Sequence, residues 1–96
     1  MNRDALRAIL ASHEADLRAL GVRALSVFGS VARGTENETS DVDLLVDFDP
    51  PPTFDRFMDL KLMLEGWLAT RVDLVTRRAL KPRLRARIEA EALRVA

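Results

Sequence analysis

The N-terminal part of the chain changes from a helical to a strand pattern of apolar residues. Apolar side chains first recur every three or four positions, which predicts an amphipathic helix from about Arg3 to Leu20, capped by Asn2 and ended by Gly21. His13 lies on the apolar stripe of this helix, where we expect a packing role and no catalytic one. The mainly apolar run from Ala24 to Phe28 predicts a short buried strand.

Residues 41–48 alternate in the way that is typical of a strand with one buried face. Val42, Leu44, Val46 and Phe48 would point to one side, and Asp41, Asp43, Leu45 and Asp47 to the other. A small, polar connection from Ser30 to Ser40 separates this strand from the first, and three prolines at 50–52 end it.

A helix is predicted next, from about Thr53 to Leu68. Its apolar residues cover far more than one face, whereas packing on a small sheet requires a single apolar stripe. Two interpretations stay open at this point. We favour contact with another subunit, and the alternative is an unusually apolar core helix.

The remaining sequence predicts a third strand over Arg71–Thr76 and a last helix that begins near Pro82. Leu84 and Ile88, with Leu93 or Val95, would face inward. A helix joins the second and third strands, which favours a parallel pair, while the shorter first connection allows an antiparallel one. We therefore predict one α/β (α+β) domain over residues 1–96, with a small mixed sheet backed by helices.

Charge is balanced over the 96 residues, so the composition predicts neither a net attraction to nucleic acid nor a membrane protein. Its distribution is uneven. Carboxylates dominate from Glu36 to Asp59, and basic residues dominate from Arg77 to Arg94. The basic segment is either a solvated face or a surface for phosphates, RNA or an acidic partner.

The absence of cysteine excludes disulfides and thiolate metal sites, and the N-terminus lacks a signal-peptide pattern, so we expect a cytoplasmic protein.

Two short motifs suggest chemistry. Gly29-Ser30 ends the first strand, where glycine lets a phosphate approach the backbone and Ser30 adds a hydroxyl, although Gly-Ser alone is common in turns. Asp41 and Asp43 begin the second strand two residues apart and so face the same side, roughly 6–7 Å apart at their Cα atoms. Such carboxylates suit magnesium or manganese, but an isolated pair is more often an ordinary polar strand edge.

Asp73 interrupts the third strand between two apolar neighbours, which is unusual because aspartate is a poor strand former. A salt bridge with Arg71 or Arg77 would explain it, and so would a third metal ligand beside the first carboxylates.

Taken together, the motifs carry a family resemblance. Three segments resemble the DNA polymerase beta nucleotidyltransferase superfamily: Phe28–Gly34, Ser40–Phe48 and Val72–Val75. Within that superfamily, they resemble the minimal nucleotidyltransferase (MNT) antitoxins that accompany HEPN-domain toxins. The resemblance extends from the first helix through Ala92 and so covers essentially the whole chain. One departure is that Ala69-Thr70 stands where relatives often carry glycine before the third strand.

The resemblance implies a role for each matched residue. Asp41 and Asp43 would hold two magnesium ions, and Asp73 would complete the ion that activates the acceptor hydroxyl. Gly29 and Ser30 would hold the triphosphate of ATP, with Arg33 as a further phosphate contact. The implied reaction is transfer of AMP to a tyrosine of a HEPN ribonuclease, which silences that toxin in a hetero-oligomer. The chain contains no tyrosine, so the acceptor would lie on the partner.

Two other functions remain to be weighed against catalysis by an antitoxin. A binding antitoxin would block the HEPN partner by occlusion alone, but the clustered charges of Asp41, Asp43 and Asp73 would be costly to keep without a use. An enzyme that modifies a small molecule such as an aminoglycoside is disfavoured, because the chain has no room for a second domain that binds it.

Overall fold

The computed structural model describes residues 1–35 and 41–96, so Ser40 of the second motif lies outside the described residues. The elements follow in the order α1 (Arg3–Ala11), α2 (Glu14–Ala19), β1 (Val22–Phe28), α3 (Gly29–Arg33), β2 (Val42–Phe48), α4 (Phe54–Leu68), β3 (Val72–Thr76), a 3-10 turn (Arg77–Ala79), α5 (Pro82–Glu91) and β4 (Leu93–Arg94). Within the described ranges, no helix is both long and apolar enough to cross a membrane.

The strands form one mixed sheet in the order β3-β2-β1-β4. β2 and β3 are parallel, while β1 is antiparallel to both β2 and β4. The predicted mixed sheet is therefore confirmed. The sequence did not predict β4, which has only two residues and pairs with Ser26 and Val27 of β1.

The predicted N-terminal helix is interrupted, so it forms α1 and α2 in place of one continuous helix. Ser12 ends α1, and its hydroxyl donates to the Ile9 carbonyl oxygen at 2.7 Å. His13 leaves the helical conformation, with φ −118° and ψ 22°, and its ring stacks on Trp67 of α4 with 4.0 Å between ring centroids. Contact with α4 thus accompanies the break that periodicity alone did not reveal.

The main core lies on one face of the sheet, between the strands and helices α1, α2 and α4. From β2 it takes Leu44 and Val46, which strand alternation assigned to one face, and from β1 it takes Leu25 and Val27. Leu45 is also buried, although it points to the opposite face. Asp47 shares that face, and Arg77 links Asp47 to Glu89 of α5. Helix α5 therefore lies over the second face of the sheet.

Helix α4 begins after Thr53, whose hydroxyl accepts from the Arg56 backbone N–H at 3.2 Å. It buries Leu60, Leu64 and Leu68, whereas Phe54 and Leu62 are 76% and 60% exposed. The predicted apolar surplus thus lies on the surface of this chain. Its coverage by another subunit stays a prediction.

The prediction for the last helix was partly wrong. Leu84 was expected to face inward but is 45% exposed, and α5 buries none of its residues completely. Ile88 is half-buried, and Val95, beyond the helix, joins the main core. Salt bridges and the following strand attach α5 to the sheet, and a continuous apolar stripe does not contribute.

Candidate active site

The turn between β1 and α3 brings Gly29 against a carboxylate of the neighbouring strand. Gly29 has φ +71°, a left-handed conformation that favours glycine. A Cβ built on it would overlap the Asp43 carboxylate oxygen and come within 3.0 Å of Asp43 Cγ. Ser30 follows in the first turn of α3 and is half-buried. The backbone of this turn therefore passes directly beside Asp43.

The register of the three central strands explains this arrangement. Phe28 pairs with Asp43 across the antiparallel ladder, and Asp43 pairs with Asp73 across the parallel one. Side chains that are paired in register emerge on the same face of a sheet. Asp41 lies immediately before β2 and is exposed. The sheet thus brings Gly29, Asp43 and Asp73 together in one row. Asp41 lies next to this carboxylate row.

The charges in this row act strongly on one another. Burial, repulsion by Asp73 and Asp41, and a hydrogen bond with the Asp73 carboxyl group together raise the pKa of Asp43 to about 6, while Arg33 acts in the opposite direction. Burial and the neighbouring carboxylates thus both disfavour the charged form of Asp43. A divalent cation bound beside it would favour that form.

The donor set fits magnesium held partly by substrate. Over residues 1–35 and 41–96, no three His, Cys, Asp or Glu side chains form a ready-made metal cage. Magnesium is commonly held by one or two carboxylates together with substrate phosphates and water, so a complete protein cage is not required. Asp43 and Asp73 could supply such a pair of oxygen ligands, and Asp41 adds negative charge nearby.

Among the described residues, Asp73 does not form the salt bridge with Arg71 or Arg77 that would explain its place in β3 without a metal. Arg77 binds Asp47 instead, with its Nε and Nη2 groups donating to the two carboxylate oxygens at 3.1 and 3.0 Å. The same guanidinium reaches Glu89 at 2.8 Å. In the part of the chain that the structure describes, Asp73 forms no ion pair.

Arg33 lies at the end of α3, close enough to Asp43 to lower the pKa of that carboxyl group. Its Nη1 group donates to Oε1 of Glu91, the last residue of α5. Sequence reasoning missed Glu91, because 58 positions separate the two residues and no local pattern connects them. The two acidic residues within the basic C-terminal segment were the only available signal.

Comparison with known proteins identifies the family. The family model described as a nucleotidyltransferase domain matches residues 10–95, which include every residue of the row. The chain belongs to the nucleotidyltransferase domain family. The enzyme class inferred from the motifs is thereby confirmed.

The similar proteins are minimal members of this family. The protein adenylyltransferase MntA of Thermococcus cleftensis is 47% identical over 77 residues, which cover 79% of this chain and 78% of that protein. A solved structure provisionally described as a minimal nucleotidyltransferase is 44% identical, has a TM-score of 0.83, and aligns over 97% of this chain and 95% of the other.

A more distant solved structure shares the fold. It is a complex of the tri-AMPylated HEPN toxin of Shewanella oneidensis with its MNT antitoxin, at 18% identity and a TM-score of 0.70. The alignment covers 98% of this chain and 71% of that one. At this identity the comparison shows the fold alone.

Proposed function

We propose that this nucleotidyltransferase is a catalytic antitoxin that transfers AMP from ATP to a tyrosine hydroxyl of a HEPN-domain ribonuclease and so silences it. The observation that carries the proposal is the row in which Gly29, Asp43 and Asp73 meet at one end of the sheet. Identity of 47% to a protein named as a protein adenylyltransferase supports AMP as the transferred group.

The proposed mechanism assigns one task to each part of the row. Gly29 lets the triphosphate approach the backbone beside Asp43, and Ser30 offers a hydroxyl to it. Asp41, Asp43 and Asp73 would hold two magnesium ions, with manganese as a substitute. Ions held there would neutralise phosphate charge and would lower the pKa of the attacking hydroxyl. Transfer of this type depends on positioning and charge, so the chain requires no side-chain nucleophile.

The acceptor hydroxyl then attacks the α-phosphorus of ATP, and pyrophosphate leaves as the new phosphodiester forms. Because this chain has no tyrosine, a tyrosine acceptor must come from the partner. The exposed apolar side chains of α4, Phe54 and Leu62, offer a surface for such a partner. The use of ATP and a ribonuclease partner is consistent with a cytoplasmic location. That location stays a prediction.

One alternative function rests on the same surface. If α4 alone binds the HEPN partner and covers its active site, the chain would neutralise the toxin without transfer. The raised pKa of Asp43 favours catalysis, because a cluster of carboxylates destabilises a metal-free fold and a purely binding protein has no use for it.

The test is to incubate the purified chain with its HEPN partner, ATP and magnesium, and to record the intact mass of the partner. Addition of one or more AMP units supports the catalytic antitoxin. A stable complex without added mass, across ATP and the other nucleoside triphosphates, supports occlusion.

A further inference from the structure

The proposed chemistry does not use the carboxylate of Glu91, although Glu91 binds Arg33, a residue of the proposed site. It accepts a hydrogen bond from Nη1 of Arg33 and is 22% exposed, whereas the Arg33 side chain is 54% exposed. Arg33 in turn lies near enough to Asp43 to lower the pKa of that carboxyl group. Glu91 thus connects the end of α5 to the guanidinium of Arg33, which lies beside the carboxylate row.

The backbone connects both partners of this ion pair to β1 through the segments next to them. α3, which carries Arg33, begins at Gly29 directly after β1. Two residues beyond Glu91, Leu93 pairs with Val27 of β1. Arg33 therefore lies on a helix that directly follows β1, and Glu91 lies two residues before a strand that pairs with the end of β1. Such a pair fixes an arginine in place more firmly than a pair between two mobile loops.

Glu91 occupies only a small part of the hydrogen-bonding capacity of Arg33. A guanidinium carries five N–H donors, and among the described residues the side chain of Arg33 donates only through Nη1 to Glu91. Toward the described residues, the rest of the planar fork makes no hydrogen bond, and arginine binds phosphate oxygens in pairs. Without Glu91, a half-exposed arginine would populate many rotamers and bind phosphate at a larger entropic cost.

The neighbouring carboxylate of α5 supplies a matched comparison. Glu89 binds Arg77 at 2.8 Å, and Arg77 also binds Asp47 at the far end of β2. Glu89 therefore attaches α5 to the sheet through Arg77, whereas Glu91 attaches α5 to α3 through Arg33. A purely structural role of these ion pairs would affect both glutamates alike.

We propose that Glu91 is a positioning residue, which holds Arg33 in the orientation that binds the triphosphate of the nucleotide. This inference rests on the proposed function for the identity of the ligand. It predicts that Glu91 acts on nucleotide binding only through Arg33, and that its loss raises KM for ATP far more than it lowers kcat.

The experiment compares E91Q, R33Q, the double variant E91Q/R33Q and the control E89Q. ATP binding to the chain alone is measured by calorimetry with magnesium, and transfer to the HEPN partner is measured over a range of ATP concentrations. E91Q is expected to raise Kd and KM for ATP roughly three- to tenfold, with kcat changed less than about twofold. The double variant should bind ATP no more weakly than R33Q, and E89Q should bind like the wild-type chain.

Several results would overturn the inference. Equal weakening by E91Q and E89Q would mean that α5 is merely loosened, and full additivity of E91Q with R33Q would mean that Glu91 does not act through Arg33. Unchanged ATP binding in E91Q, or no binding of ATP by the wild-type chain, would also refute it. Failure of the proposed function is separate: transfer would be absent although E91Q still weakened ATP binding in an Arg33-dependent way.

Discussion

Gly29 and Asp43 are in direct contact across the first two strands, so that no side chain can be placed at position 29 without displacing the Asp43 carboxylate. The positive φ of Gly29 and the closeness of Asp43 are separate requirements for glycine. A phosphate bound to this turn would consequently lie beside the carboxylate that we propose as a metal ligand.

Replacement of Gly29 by alanine should abolish nucleotide transfer, because the new Cβ would displace the Asp43 carboxylate. The left-handed backbone adds a cost of about 1–2 kcal/mol for a residue with a Cβ. The control is Gly34→Ala, since Gly34 has a similar φ of +73° but no atom of the described residues within 4 Å of its Cβ position. G34A should lose comparable backbone stability and keep transfer. Equal loss of transfer in both variants would contradict the proposed contact.

Asp43→Asn should stabilise the metal-free protein at pH 7.5. The pKa of Asp43 is raised from 3.8 to about 6, so the folded chain holds this proton more tightly than the unfolded chain, and stability falls as the pH rises between these values. After allowance for solvent screening, the charged carboxylate costs about 1 kcal/mol, which corresponds to roughly 4–8 °C in melting temperature for a domain of this size.

The measurement for this variant is thermal unfolding in EDTA at pH 7.5 and near pH 4. The gain in melting temperature of Asp43→Asn should be present at the higher pH and largely absent at the lower one, where the wild-type Asp43 is protonated. A variant less stable than the wild type at pH 7.5 would show that the three carboxylates do not repel one another.

Ala69 ends α4 in a left-handed conformation, with φ 52°, at a position where glycine is the usual residue. Ala69→Gly should therefore stabilise the fold by about 0.5–1 kcal/mol in urea unfolding. Ala8→Gly, at an exposed position inside α1, is the control and should destabilise by about 1 kcal/mol. Destabilisation by both substitutions would argue against the left-handed cap.

The stacked rings of His13 and Trp67 connect the break between α1 and α2 to α4. His13→Ala should cost about 1 kcal/mol in urea unfolding, through loss of the stacking contact. Asp16→Asn removes the carboxylate 3.5 Å from His13 Nδ1 but leaves the stack in place, so its effect should be smaller. A larger effect of Asp16→Asn would show that the ion pair, and not the stack, stabilises the break.

The periodicity of apolar residues correctly predicted the strands and helices whose formation depends on neighbouring residues in the sequence. Alternation in β2 placed Val42 and Leu44 in the core, and the helix between β2 and β3 predicted their parallel pairing, which brings Asp43 beside Asp73. The break at His13 was missed because it involves contact with Trp67, a distant residue.

The second face of the sheet was harder to predict, because ion pairs between distant segments form much of it. Arg33 meets Glu91, and Arg77 meets Asp47 and Glu89, without any periodic signal in the sequence. Leu84 was expected to face inward together with Ile88, but it is 45% exposed, and ion pairs attach α5 instead.

The central claim is that the carboxylate row performs nucleotide transfer, and the most direct measurement is the AMP mass added to the HEPN partner per unit time by a set of aspartate variants. Asp41→Asn with Asp43→Asn, and separately Asp73→Asn, should each reduce the rate by at least about a hundredfold while the complex still forms. Asp4→Asn, at an exposed position in the first turn of α1, should transfer at the wild-type rate. Transfer at the wild-type rate by the Asp41/Asp43 double variant would contradict the account.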